Sequence, residues 1–216
     1  MSYDLCLFDL DGTLTDPKPG ITKSFQYTLS HFGISEELDR LTRFIGPPLR
    51  EIFSGVYGFS DVKTEKAVAK YRKYFVKTGL YENTVYPSVP EVLRCLEEAG
   101  KTLAVATNKV TAYTEKILEH FDLRKYFAFV SGDEMDGSLT KNGKRDIIEA
   151  ALATLDPERV KSAVMIGDRR HDIIGAREAG IDSIGVTWGY GSRDELEAEN
   201  ATRIADSLDE LKAMLI

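Results

Sequence analysis

Two aspartates follow the first apolar stretch of the chain and are separated by a single residue. Leu5 to Phe8 is a short continuous apolar run, which is typical of a strand buried on both faces of a parallel sheet. Strand periodicity places Asp9 and Asp11 on the same side of the chain, at the strand end where open α/β sheets bind ligands. Because two such carboxylates repel each other, the pair predicts a cation between them, and Mg²⁺ suits carboxylate and carbonyl oxygens.

The two residues that follow this pair, Gly12 and Thr13, have side chains suited to supporting it. Glycine permits a backbone turn that a Cβ would obstruct, and the threonine hydroxyl is expected to hold a carboxylate by a hydrogen bond. Taken alone, the segment from Asp9 to Thr13 is also compatible with a strand-end turn that uses Asp-Gly only for its geometry.

A hydroxyl and an amide follow a second predicted strand, over Thr102 to Ala106. Thr107 and Asn108 lie there just before a predicted helix, where such groups either bind phosphate oxygens or cap the helix. Their position behind the first aspartate pair favours phosphate binding.

A second pair of aspartates follows the predicted strand over Ser162 to Ile166. Asp168 falls at the strand end, where it is expected to reach the metal, and Asp172 lies one helical turn further on the same face. We expect Asp172 to orient Asp168, a lysine or a metal-bound water. Between them, His171 is expected to be a surface or hydrogen-bonded histidine of the helix and not a catalytic base.

A lysine is expected near these carboxylates, because an ammonium at the strand ends neutralises both a phosphate and an attacking carboxylate. Lys141 lies just before the predicted helix over Lys144 to Leu155, and Lys144 is the first residue of that helix. Lys144 is the preferred candidate because it directly precedes the apolar-periodic part of that helix.

These segments, in this order, resemble the four motifs of the haloacid dehalogenase-like hydrolases. Asp9 to Thr13 has the form DxDGT used by the phosphatases of that family, and Gly167 to Asp172 has the form GDxxxD. The Lys-Pro pair usual at the third motif is absent, which leaves the choice between Lys141 and Lys144 open. The resemblance covers essentially the whole chain.

The resemblance implies a catalytic role for Asp9, Asp11 and Lys144. Asp9 would form an aspartyl-phosphate, and Asp11 would act as general acid and then as general base. The implied phosphate-binding residues are Gly12, Thr107, Asn108 and Lys144. The implied Mg²⁺ ligands are Asp9, the backbone carbonyl of Asp11, and Asp168, supported by Thr13 and Asp172.

The elements that position these residues alternate between strand and helix in the later part of the chain. This alternation predicts an α/β fold with a doubly wound, Rossmann-like parallel sheet. Residues 16–20 and 79–87 contain proline and glycine and read as linkers around a helical block whose first helix starts at Ile21. We therefore predict a core of residues 1–15 and 86–216 and an inserted helical cap of the C1 type over residues 16–85.

Three Ser-x-x-Glu segments predict helix starts by the capping-box pattern. They begin at Ser88, Ser192 and Ser207.

The predicted cap resembles those of phosphoglycolate phosphatases and 5′-nucleotidase-like members of the family. Arg43, Gly46 and Arg50 lie in or beside its loop and are candidates for contact with an anionic substrate. A sugar-phosphate mutase and a phosphonate hydrolase share the fold, and Lys23 would be available as the Schiff-base lysine of the latter. A catalytically idle phosphate-binding regulatory module is the alternative outside the enzymes.

Composition fits a small-molecule enzyme. The net charge of −7 and the pI of about 5.1 argue against a nucleic-acid surface. The two cysteines, Cys6 and Cys95, show no metal-ligand spacing, and no apolar stretch reaches the length of a membrane span. We expect a cytoplasmic monomer or homodimer that acts on a small phosphorylated metabolite, without nucleic acid or membrane partners.

Overall fold

The computed structural model describes residues 3–140, 143–153 and 162–216 of the chain. It contains two compact units. The first, which we call the α/β unit, comprises Met1–Thr15 and Val85–Ile216. The second, the helical unit, comprises Asp16–Thr84.

The α/β unit contains a six-stranded sheet with every neighbouring pair of strands parallel. Its strands are β1 (Leu5–Phe8), β4 (Thr102–Val110), β5 (Phe129–Asp133), β6 (Ala163–Gly167), β7 (Asp182–Val186) and β8 (Arg203–Ala205), in the spatial order β5-β4-β1-β6-β7-β8. Two short strands, β2 (Thr15–Asp16) and β3 (Thr84–Val85), pair separately where the chain passes between the units. The parallel order confirms the predicted α/β fold.

Strand β1 is central because its apolar residues need cover on both faces. Leu5 to Phe8 are at most 1% exposed, and β1 pairs with β4 on one side and β6 on the other. The three strands therefore end at one edge of the sheet, where the chain continues into the polar residues named above.

The helical unit consists of four helices connected by short segments. They are α1 (Lys18–His31), α2 (Leu38–Leu41), α3 (Leu49–Glu51) and α4 (Asp61–Tyr74); π-helical turns Ile52–Val56 and Phe75–Gly79 continue α3 and α4. Phe25 lies at the centre, with ring centroids 4.9 to 5.6 Å from those of Tyr71, Phe44 and Phe53. The unit thus has its own aromatic core.

The helices of the α/β unit flank the sheet. They are α5 (Val89–Glu98), α6 (Thr111–His120), α7 (Lys144–Leu152), α8 (Arg170–Glu178), α9 (Arg193–Ala198) and α10 (Leu208–Leu215). Ile147 and Ile148 of α7 form one buried cluster with Leu5, Leu7 and Met165 of the sheet. This packing fixes the first residue of α7, Lys144, close to the sheet.

None of the helices in the described ranges is long and apolar enough to span a bilayer.

Two of the three predicted capping boxes have the expected serine cap. The hydroxyls of Ser192 and Ser207 accept hydrogen bonds from the third residue of their helices, at 3.1 and 3.2 Å. The expectation for Ser88 was wrong, because this residue has φ of 69° and makes no capping hydrogen bond. A capping hydroxyl accepts a hydrogen bond from the amide of the second or third helical residue. Pro90 occupies the second position and has no N–H, so one of these two donors is missing.

The first helix begins earlier than the proline and glycine residues predict. Helix α1 starts at Lys18 with Pro19 in its first turn, where a missing N–H is tolerated. Gly20 lies within the helix and packs on Gly79, so that a Cβ on Gly20 would lie 1.9 Å from the Gly79 carbonyl oxygen. What reads as a linker is therefore a helix start with a close backbone contact.

Replacement of Gly20 by Ala tests this contact. We expect Gly20→Ala to destabilise the protein by about 1–3 kcal/mol, because the added methyl group overpacks against backbone. At about 2–4 °C per kcal/mol for a chain of this size, Tm should fall by several degrees in a thermal melt. Gly55→Ala is the matched control, since nothing lies within 4 Å of a Cβ there, and an unchanged Tm in both variants would contradict the prediction.

Candidate active site

Both aspartates of the first pair lie in the interior of the α/β unit, directly after β1. The Asp9 amide donates to the Ile166 carbonyl at 2.8 Å, so the pairing with β6 continues one residue beyond the strand. Asp9 is 5% and Asp11 8% exposed. Burial raises the pKa of Asp11 above its usual range, although Lys109 opposes the shift. Each carboxylate therefore depends on a nearby cation.

Lys144 provides that cation for Asp9. Its Nζ lies 2.7 Å from Asp9 Oδ1 and also pairs with Asp172 Oδ1. Burial lowers the pKa of Lys144, but the charges of Asp172 and Asp9 outweigh this effect and the pKa is raised, so the ammonium is retained. The structure thus brings Lys144 to the aspartates, whereas the alternative, Lys141, lies outside the described residues.

Asp168 follows the end of β6 and is completely buried. Its Oδ2 accepts a hydrogen bond from the Tyr190 amide at 2.7 Å, and its Oδ1 has no hydrogen-bond partner within the described ranges. Burial, followed by the charges of Asp172 and Asp9, raises the pKa of Asp168 well above its usual value. Asp168 Oδ1 is therefore a buried hydrogen-bond acceptor that lacks a counter-charge.

Asp172 links the start of helix α8 to Lys144. Its Oδ2 accepts from the Arg169 amide at 3.0 Å, and its other oxygen pairs with the Lys144 ammonium. Burial raises the pKa of Asp172 to about 6. Of the partners predicted for Asp172, the structure shows the lysine. His171 is half-buried, and burial together with nearby arginines lowers its pKa to about 4, so it is neutral at pH 7.

The loop after β7 packs tightly against Asp168. A Cβ on Gly189 would lie 2.3 Å from Asp168 Oδ2, and a Cβ on Gly12 would lie equally close to that atom. The Trp188 indole Nε1 also donates to the Thr13 carbonyl at 3.1 Å. The absence of a side chain at Gly189 therefore allows this loop to pack closely against Asp168.

One detail predicted for the first motif was wrong. The buried Thr13 hydroxyl makes no hydrogen bond to any described protein group, and so does not hold a carboxylate. The Gly12 amide donates to the Thr15 carbonyl at 2.8 Å, within its own turn, and its contact with phosphate stays a prediction. Gly12 also allows Asp168 to approach closely, because it has no Cβ.

Lys109, in the segment that follows the predicted end of β4, is a site residue that the sequence alone did not predict. Thr107 is 2% exposed and its hydroxyl accepts from the Lys109 amide at 3.3 Å, while Asn108 is half-buried. Lys109 Nζ lies 2.7 Å from Asp11 Oδ2. Its position in the sequence could have indicated a role in the site, because Lys109 directly follows the two predicted phosphate ligands, Thr107 and Asn108.

The donor set fits a divalent metal ion. Asp9, Asp168 and Asp172 each offer a carboxylate oxygen, and these oxygens lie within 4.8 Å of one another. Counted with Asp11, four buried carboxylates face the two ammonium groups of Lys109 and Lys144, so that two negative charges are uncompensated when all four carboxyl groups are ionised. A divalent cation compensates this charge and satisfies the unpaired oxygen of Asp168.

The predicted cap residues have partners within the helical unit. Arg50 Nε and Nη2 bind both oxygens of Glu65, at 2.6 and 3.0 Å. The Arg43 guanidinium lies 4.7 Å from the centroid of the Phe44 ring, and Gly46 has φ of 106°. A contact of these residues with substrate stays a prediction.

Residues 6–186 match the model of the haloacid dehalogenase-like hydrolase family. The chain belongs to this family. A 5′-nucleotidase of Pseudomonas aeruginosa is 43% identical over all of this chain and 96% of its own length. The tyrosine-protein kinase PtkA of Mycobacterium tuberculosis is 38% identical over 99% of this chain and 73% of its own length.

A solved structure shows the same fold. The crystal structure of a predicted phosphatase from Clostridium acetobutylicum superposes with a TM-score of 0.94 at 42% identity, and covers 100% of this chain and 99% of that one. Together with the family, this likeness identifies the chain as a phosphatase of the haloacid dehalogenase-like type. Phosphatases of this family generally use a divalent metal.

The charge imbalance predicts how Asp168→Asn affects stability. The amide keeps the acceptor for Tyr190 and removes one uncompensated charge, so the variant should melt at higher temperature than the metal-free wild type. Addition of MgCl₂ should raise the Tm of the wild type by ligand linkage and leave the variant nearly unchanged. The exposed Asp39→Asn change is the matched control, and an equal MgCl₂ shift in the Asp168 variant would count against the site.

The raised pKa values also predict an unusual pH dependence. A carboxyl whose pKa is raised on folding binds protons more readily in the folded state, so stability falls as pH rises between the unfolded and folded pKa values. For Asp172 this interval runs from 3.8 to about 6, and Asp168 is shifted in the same direction.

In chelator, the Tm of the metal-free protein should therefore rise as the pH is lowered from about 7 to about 5. Excess MgCl₂ should abolish this rise, because a bound cation favours the ionised carboxylates. A Tm in chelator that falls steadily with acidification would contradict the assignment.

Proposed function

We propose that this phosphatase is a Mg²⁺-dependent phosphomonoesterase that hydrolyses a small phosphorylated metabolite through an aspartyl-phosphate on Asp9. The observation that carries the proposal is the position of Asp9. Its carboxylate is buried at the end of the central strand, 2.7 Å from the Lys144 ammonium and within 4.8 Å of oxygens from Asp168 and Asp172.

In the first step, a carboxylate oxygen of Asp9 attacks phosphorus and the bond from phosphorus to the ester oxygen breaks. Asp11 donates a proton to that departing oxygen, so the alcohol leaves neutral. Asp9 and Asp168, with the backbone carbonyl of Asp11, would hold the Mg²⁺. When bound, the ion supplies the positive charge that offsets repulsion between a carboxylate and a phosphate.

In the second step, water attacks the phosphorus of the aspartyl-phosphate. Asp11, now ionised, accepts the proton of that water, the acyl phosphate bond breaks, and inorganic phosphate and free Asp9 result. Lys144 compensates negative charge near Asp9 in both steps, and Thr107 and Asn108 would position phosphate oxygens. Positioning and charge compensation are what phosphoryl transfer chiefly requires.

We propose a nucleoside 5′-monophosphate as the first substrate to consider. The full-length similarity at 43% identity to a protein named 5′-nucleotidase supports this choice. Phosphoglycolate is the second, on the resemblance of the cap segment. Arg43 and Arg50 are the cap residues proposed to influence which of these anions is accepted.

A phosphonate hydrolase is disfavoured by the state of Lys23. Schiff-base chemistry needs a neutral amine. The Lys23 Nζ lies 2.6 Å from Glu82 Oε1, and that hydrogen bond and charge raise the pKa of Lys23. A mutase, in contrast, would isomerise a sugar phosphate with no net release of phosphate, and so differs in its product.

Replacement of the nucleophile tests the mechanism. Asp9→Asn should lower kcat by roughly 10³-fold or more, because the amide cannot form the covalent intermediate. Phosphate release from p-nitrophenyl phosphate with MgCl₂ measures this loss, and Asp39→Asn is the control. Near-normal turnover by Asp9→Asn would remove Asp9 from the nucleophile role, and no phosphate release by the wild type would favour an idle binding module.

A substrate panel at matched MgCl₂ tests the substrate class. The panel contains nucleoside 5′-monophosphates, phosphoglycolate and sugar phosphates, and the highest kcat/KM is expected for a nucleoside 5′-monophosphate. Because one relative is named a tyrosine-protein kinase, a parallel reaction with a nucleoside triphosphate as phosphoryl donor should be probed for phosphotyrosine on the protein itself. Isomerised sugar phosphate or phosphotyrosine as the main product would contradict the proposal.

A further inference from the structure

Asp11 is held by a lysine that directly follows the two predicted phosphate ligands, Thr107 and Asn108, and that has no role in the mechanism proposed above. Lys109 Nζ lies 2.7 Å from Asp11 Oδ2, and the two side chains are 8% and 10% exposed. The other carboxylate oxygen, Asp11 Oδ1, makes no hydrogen bond to any described group. Since both side chains are buried, this contact defines where the Asp11 carboxylate lies.

The backbone at Lys109 is built to direct that side chain. Strand β4 does not stop at Ala106 but continues to Val110, and its pairing with β5 shifts register between Thr107 and Val110. Such a bulge turns a side chain out of the alternation of a regular strand. Lys109 lies inside the bulge.

The neighbouring strand makes room for the bulge. A Cβ on Gly132 of β5 would lie 2.4 Å from the Lys109 carbonyl oxygen and 3.0 Å from the Thr111 amide nitrogen. Any larger residue at position 132 therefore has to displace the backbone that carries Lys109. The contact with Asp11 thus depends on a glycine on an adjacent strand.

We propose that Lys109 is a positioning residue that places the Asp11 carboxylate for proton transfer to the leaving group, and that Gly132 maintains this placement through the bulge. The proposal rests on the proposed role of Asp11 as general acid. It assigns no chemical step to Lys109 itself. Loss of Lys109 should therefore impair substrates in proportion to how much their leaving groups need a proton.

Two substrates of similar size separate this role from a general structural one. The leaving group of p-nitrophenyl phosphate departs readily without a proton, whereas benzyl phosphate releases an alcohol that needs one. The parameter is kcat/KM, because it includes only the steps up to departure of the leaving group. Each enzyme is measured at its own pH optimum, so that placement and protonation state are not confused.

In Lys109→Met, which keeps the length of the side chain, kcat/KM for benzyl phosphate should fall about 10- to 100-fold more than that for p-nitrophenyl phosphate, as for a misplaced general acid. Gly132→Ala should change the same ratio in the same direction while every ionisable group remains. Lys116→Met on the exposed face of α6 is the matched control and should leave the ratio unchanged.

Equal losses on both substrates in Lys109→Met and Gly132→Ala would overturn the proposal, and if Lys109→Met does not fold, Gly132→Ala decides it. Asp11→Asn, run in parallel, separates the two levels of inference. A large ratio change in Asp11→Asn with none in the other variants refutes only the role of Lys109. No ratio change in Asp11→Asn refutes the general-acid role of Asp11 and the positioning role with it.

Discussion

The accumulation of negative charge in a water-poor interior is the constraint on which the site depends. Four buried carboxylates lie near the ends of β1 and β6, and the two lysines that reach them leave an excess of two negative charges when all four carboxyl groups are ionised. Hydrophobic burial of the surrounding strands maintains this arrangement, because separating the carboxylates would require opening the sheet. A phosphatase needs such a site, since a cation that satisfies the carboxylates also attracts the phosphate.

The parallel sheet explains how residues far apart in sequence share this interior. Strands β1, β4 and β6 are adjacent and end at one edge, so Asp9 and Asp168 directly follow the ends of β1 and β6, and Lys109 lies near the end of β4. The fourth contributor, Lys144, comes from the first turn of α7, whose apolar face packs on the same strands. The same apolar contacts therefore stabilise the core of the α/β unit and determine the geometry of the site.

The parts of the structure that could be predicted are those in which a local pattern determines position. A buried apolar run followed by a carboxylate defines a strand end, which is why Asp9 and Asp168 were placed correctly at the sheet edge. The Gly20 contact with Gly79 and the bulge at Lys109 depend on partners far along the chain. The local sequence therefore predicted a linker at Gly20 and a strand end at Ala106, and both predictions were wrong. The predicted hydrogen bond from the Thr13 hydroxyl to a carboxylate was wrong for a similar reason, because residue spacing shows which groups are near each other but not which of them form hydrogen bonds.

The two lysines divide the carboxylates between them in a way that suits the two roles proposed for Asp9 and Asp11. Lys144 pairs with Asp9 and Asp172, beside the proposed nucleophile, whereas Lys109 pairs with Asp11. A nucleophile and a general acid on the same strand end would otherwise compete for one cation and for one metal. Separate ammonium partners would allow the Asp9 carboxylate to remain with the other carboxylates of the proposed metal site while the Asp11 carboxylate is held apart from them, which a single shared lysine could not achieve.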